Sequence, residues 1–119
     1  MHGTAHPKPL SRPAATGVNA VVWIEPGRAI VVRGGDGAEL PAMELAIPNV
    51  AAAMPPALAE VAHTIGDVDR VLVLGLDELR TALEREIVAI GHRPETIRDA
   101  DVGGPMDVPA LRERLARLR

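Results

Sequence analysis

The chain has 119 residues, a formal charge of −3, 47% apolar residues, a single aromatic side chain (Trp23) and no cysteine. That length fits one domain, and no apolar run approaches the ~20 residues of a membrane-spanning helix. Disulfides, thiolate nucleophiles and cysteine-based metal sites are excluded, and a reducing, cytoplasmic compartment suits such a chain.

Residues 1–17 (MHGTAHPKPLSRPAATG) read as a flexible tail holding the only Lys (Lys8) and the only Ser (Ser11). They lack the apolar core of a secretory signal. His2 and His6 have a metal-binding spacing only on a helix, which Pro7 and Pro9 forbid. Residues 18–119 form the folded domain. Without Lys8 and Arg12 they carry 11 basic and 16 acidic side chains, a formal −5, which counts against autonomous nucleic-acid binding.

The run 19–25 (NAVVWIE) is apolar on both faces, as expected of a central strand with helices on each side. Pro26-Gly27 turns it into a second strand at 29–33, and the cluster Gly34–Gly37 makes the next turn. Residues 42–47 alternate, with Met43, Leu45 and Ile47 on one covered side and Glu44 on the other. After a short link at 49–55 comes a helix over 56–65, with the stripe Leu58, Val61, Ala62 and Ile65 and Gly66 as its cap. His63 falls off that stripe and reads as an exposed histidine.

Residues 70–75 (RVLVLG) form a second wholly apolar strand. Asp77 reads as the cap of a helix to about Ile90, with Leu79, Leu83, Ile87 and Ile90 inward, and Arg80 and Glu84 a turn apart on its surface. Gly91 closes this helix. Residues 95–100 make an edge strand, Gly103-Gly104-Pro105 breaks the chain, and 108–118 is a last helix with Leu111, Leu115 and Leu118 inward. The topology β-β-β-α-β-α-β-α, with strands four and five parallel to strand one, predicts an α/β fold with a mixed five-stranded sheet ordered 3-2-1-4-5, the ribonuclease-H-like arrangement.

Outside the tail there is no Ser, Cys, Tyr or Lys, so nucleophilic triads and Schiff bases are excluded. The cluster Gly34–Gly37 joins strands and does not open a helix, so it is no phosphate cradle. Carboxylates remain: Glu25, Asp77, Asp99 and Asp101 fall at or near the carboxyl end of the parallel strands, where open sheets bind ligands and where a Mg²⁺ nuclease holds its metals. Each acid also has a structural role: Glu25 starts a turn, Asp77 caps a helix, and Asp99 and Asp101 border a loop. Arg112, Arg114, Arg117 and Arg119 read as a solvated helix face.

The stretch AVVWIEPGRAIVV (20–32) resembles the opening of a prokaryotic family of translational machinery proteins, itself similar to the middle domain of archaeo-eukaryotic peptide-chain release factors and of Pelota. Glu25 stands where that family has Asp. The block VDRVLVLGLDELRTALEREI (68–87), with Arg80-Thr81 at a basic–Thr pair, and the terminal ETIRDAD…DVPALRERLARLR extend the resemblance over about 18–119. It implies a ribonuclease-H-like fold and association with ribosomes or a ribosome-associated protein. In release factors the loop after strand three carries Gly-Gly-Gln, which enters the peptidyl-transferase centre. Here that loop would be NVAAAMP, and the chain has no Gln.

Three functions therefore stand open. The first is a non-catalytic release-factor-like domain with no cofactor or metal, acting in translation or stress. The second is a separate interaction module or homodimer that pairs through the edge of strand three. The third is the carboxylate–metal nuclease.

Overall fold

The computed structural model describes residues 16–35, 38–91, 94–100 and 106–118, with backbone placement alone for Ala38, Asp77, Asp99 and Ala100. Strands β1 (Asn19–Glu25) and β2 (Gly27–Gly35) form a hairpin closed by the pair Glu25–Arg28. Next come β3 (Ala38–Glu39), β4 (Met43–Ile47), a 3₁₀ turn (Ala51–Ala53) and helix α1 (Met54–Ile65). The chain continues through β5 (Arg70–Gly75), α2 (Asp77–Ala89), a second 3₁₀ turn (Pro94–Thr96), β6 (Ile97–Ala100) and α3 (Val108–Arg117).

The sheet runs β3-β2-β1-β5-β6, and β4 pairs with β2 alongside β3. The third strand expected over 42–47 is β4, the two-residue β3 is a further piece of the same edge that the sequence did not show, and the order 3-2-1-4-5 holds. Antiparallel pairing joins β1 to β2 and β2 to β3 and β4, whereas β1–β5 and β5–β6 are parallel.

Strand β1 is covered on both faces. Ala20, Val22 and Ile24 pack with Val31, Leu58, Val61, Ile65, Leu83 and Ile87 under α1 and α2. Val21 and Trp23 pack on the opposite face with Ile30, Val32, Leu74 and Leu111 under α3. The stripe predicted for α1 is buried and His63 is exposed, as the periodicity required. Strand β4 departs from its predicted pattern: Ile47 is buried, Leu45 half-buried, and Met43 46% exposed. At the sheet margin no further strand, among the described residues, flanks Met43.

Two side chains clasp the end of the sheet opposite the β1–β2 turn. Asn19 donates through Nδ2 to the Leu118 carbonyl (3.1 Å) and accepts at Oδ1 from the Arg70 N–H (3.1 Å). The Asp69 carboxylate accepts from the Thr16 N–H (2.7 Å), the Thr16 hydroxyl (3.1 Å) and the Gly17 N–H (3.0 Å). Thr16 and Gly17, grouped with the tail by sequence, are thereby tied to the domain; 1–15 lie outside the described residues. The bond from the Thr16 N–H, with those from Gly17 and the Thr16 hydroxyl and the charge of Arg70, holds the Asp69 carboxyl below its ordinary 3.8 against the opposing effect of desolvation.

Because the folded-state pKa of Asp69 is depressed, its contribution is complete above the unfolded value and disappears as pH falls through the folded one. Asp69→Asn should cost about 1 kcal/mol at neutral pH, given the exposure of these bonds. In urea titrations, the gap between wild type and variant should close as pH drops below 3.8. A gap unchanged in acid would show that the carboxylate charge is not what matters.

Two glycines with positive φ make a second test. Gly27 (φ 100) has open space where a Cβ would stand, whereas a Cβ on Gly75 (φ 138) would collide with the Ile24 carbonyl oxygen on the neighbouring strand. Gly27→Ala should cost about 1–2 kcal/mol of backbone strain alone. Gly75→Ala adds a clash with backbone that cannot move aside, and its thermal midpoint should fall clearly further.

Candidate functional site

Because β1, β5 and β6 are parallel, their carboxyl ends share the edge of the sheet where β1 turns into β2 and β5 enters α2. Of the four acids expected there, Glu25 ends β1, Asp77 is the first residue of α2, and Asp99 lies within β6; Asp101 is outside the described residues. Register separates Glu25 from Asp99. Asp99 is level with Val73 and so with Val22, three residues short of Glu25 and two strands away. At ~3.3 Å per residue and ~4.8 Å per strand, their backbones lie roughly 14 Å apart. Among the described residues, no three His, Asp or Glu side chains are grouped to hold a metal ion.

Glu25 has other work. The Trp23 ring is 5% exposed and its indole Nε1–H donates to Glu25 Oε1 (2.5 Å), while Arg28 Nε stands 3.4 Å from Glu25 Oε2. Residues i and i+2 of a strand share a face, and the hairpin pairs Glu25 directly with Arg28. A buried indole N–H without an acceptor is costly, so Glu25 is more than the turn residue that the sequence suggested. Asp77 also departs from expectation. Leu76, still extended (φ −72, ψ 144), holds the N-cap position without a side-chain bond, and helical dihedrals begin at Asp77.

The same edge, where open parallel sheets are expected to bind ligands, contains a cleft of about 610 Å³ whose lining the sequence did not reveal. Pro26, Ile47, Pro48, Met54, Leu76 and Leu79 make it mainly apolar, with Asn49 and Glu78 as polar members. It opens between the β1–β2 turn, the β4–α1 connection and the start of α2. Leu76 is 56% exposed, and Val50 in the β4–α1 connection is 60% exposed. Apolar side chains between a strand end and a helix start were its one sequence signal, and periodicity cannot tell such residues from core.

The Arg80-Thr81 pair divides, with Arg80 half-buried and Thr81 lining an open hollow of about 480 Å³ between α2 and the β6 edge. The arginines of α3 are not all a solvated face. Arg112 Nη2 donates to the Leu40 carbonyl (2.8 Å), bracing the break between β3 and β4, and Arg117 pairs loosely with Glu113 (3.6 Å). Arg119 lies outside the described residues.

No protein-family model and no curated protein matches the chain. Solved structures do. Archaeoglobus fulgidus Pelota superposes with a TM-score of 0.61 at 16% identity, over 84% of this chain and 31% of that one. Saccharomyces cerevisiae Dom34, a translation termination-like factor, gives 0.58 at 9% identity, over 82% and 32%. The archaeal translation termination factor aRF1 gives 0.53 at 11% identity, over 82% and 33%. The chain therefore shares a fold with part of these factors and spans about a third of their length.

Replacing Glu25 tests its role in the site. Glu25→Leu strands the indole N–H and should cost about 1–3 kcal/mol, with altered emission from the only tryptophan. Glu25→Gln keeps a carbonyl acceptor and should stay within about 1 kcal/mol of wild type with native emission. Equal losses in both would assign the effect to the ion pair with Arg28.

Proposed function

We propose that residues 18–119 form a non-catalytic release-factor-like domain that works in translation, in the cytoplasm, by contact with the ribosome or a ribosome-associated protein. The observation that carries this reading is the fold shared with Pelota, Dom34 and aRF1 across more than four-fifths of the chain. Residues 1–15 are assigned to a tail outside that domain, and Thr16 and Gly17 to its border.

The connection after β4 supports the absence of catalysis. In release factors the loop at this place carries Gly-Gly-Gln. Here residues 48–53 join Ile47 to α1, half of them in a 3₁₀ turn, and the chain has no Gln with which to position a hydrolytic water. Dom34 interacts with the protein Hbs1, and a protein contact likewise suits a domain of formal charge −5 better than bare RNA does. The cleft beside this connection, with Leu76 and Val50 exposed next to it, supplies an apolar surface for such a contact. The nuclease reading lacks this support: both oxygens of Glu25 are engaged, and Asp99 lies far along the sheet.

Tagged protein from growing and starved cells should sediment in sucrose gradients with ribosomal particles in at least one condition. The double variant Val50→Asp, Leu76→Asp changes exposed side chains and puts a capping carboxylate at the start of α2, so it should move to the top of the gradient with a thermal midpoint no lower than the native one. Absence of the wild type from every ribosomal fraction would overturn the proposal.

A further inference from the structure

The two margins of the sheet are not equivalent. Strand β6 carries adjacent charged residues, Arg98 and Asp99, a common means of blocking edge-to-edge pairing. Strand β4 is less protected, with one charged residue, Glu44, within it. It holds no Pro and no Lys, and its register with β2 runs unbroken from Met43 opposite Val31 to Ile47 opposite Gly27, with no bulge. Its other side pairs with no strand among the described residues.

We propose that β4 is the contact strand of a symmetric homodimer, pairing antiparallel with β4 of a second copy about a two-fold axis through Leu45. The sequence MELAI is self-complementary in that register alone. Met43 of each copy lies opposite Ile47 of the other, Leu45 meets Leu45, and Glu44 meets the exposed, uncharged Ala46. The apolar residues of both strands then fall on one face, and the exposed Met43 gains a neighbour. Moving the axis one residue toward the N-terminus sets Glu44 against Glu44. Moving it one residue the other way sets Pro48, which has no N–H, against Glu44. Two-fold symmetry is the commonest form of homodimer, and an axis normal to the sheet joins two five-strand sheets into one. The occupant is thus a second copy of this chain, and the inference does not depend on a role in translation.

Sedimentation equilibrium of the full chain at about 100 µM should show a dimer, since so small an interface belongs to the weak, micromolar class. Ala46→Glu places like charges opposite each other twice by symmetry and should weaken the dimer about tenfold. Ala46→Lys, facing Glu44, should dimerise at least as well as wild type. The chain has no cysteine, so single-cysteine variants are specific probes. Leu45→Cys should cross-link to itself under mild oxidation, because directly opposite Cβ atoms are only about 5 Å apart. Met43→Cys should not, since its two copies are about 14 Å apart along the strand. A monomer at about 100 µM would overturn the proposal, as would cross-linking of Met43→Cys as readily as Leu45→Cys, which denotes a dimer through another surface.

Discussion

A central strand with no polar face governs this molecule. From Ala20 to Ile24 every side chain of β1 is buried, alternating between two separate cores. Leaving either face in water would forfeit about 1.5–3 kcal/mol for each large apolar side chain, against a total stability of order 5–15 kcal/mol. Cover must therefore come from both sides. The α1–α2 pair supplies one layer and α3 the other, which makes the last helix indispensable although only Leu111 within it is fully buried. Asn19 makes the dependence concrete by joining the first residue of β1 to the end of α3 and the start of β5.

The same constraint explains the carboxylate that first draws attention as an active-site candidate. A chain without Phe or Tyr fills the α3 face with one large ring, Trp23, and that ring carries an N–H. Two residues on, at the same face and just where β1 leaves the core, Glu25 accepts from it and neutralises Arg28 across the turn. The acid at the carboxyl end of β1 is thus held by the fold. What remains at the cleft of that edge is mainly apolar surface with Asn49 and Glu78 as polar members, a composition suited to holding another molecule.

Sequence periodicity revealed nearly everything that depends on neighbours in the chain. β1 and β5 have their predicted bounds, the buried stripe of α1 is the predicted one, and the sheet order follows from two strands apolar on both faces. Apart from the role of Glu25 beside Trp23 and Arg28 and the cap of α2, what it missed depends on partners far apart in the chain. Thr16 reaches Asp69, Asn19 reaches Leu118, and Arg112 reaches Leu40, each a polar side-chain contact without periodic signature. Met43 fails for a related reason: alternation shows which side of a strand is apolar, but not whether an outermost residue finds cover. The place of the cleft followed from the parallel strands, but its lining was illegible because three separate connections build it.

Likeness in fold at 9–16% identity to Pelota, Dom34 and aRF1 says where function can reside more than what it is. A doubly covered β1 leaves little freedom in the sheet interior, so differences in action must arise at connections, edges and surface charge. In this chain those are a short β4–α1 connection beside an apolar cleft, a β4 edge that pairs with no further strand among the described residues, and an acidic surface. A surface of formal charge −5 is repelled by phosphate at long range but not by a basic protein, and many proteins that decorate RNA are basic. The lining of the cleft is mainly apolar, so it contributes binding energy when a complementary surface covers it.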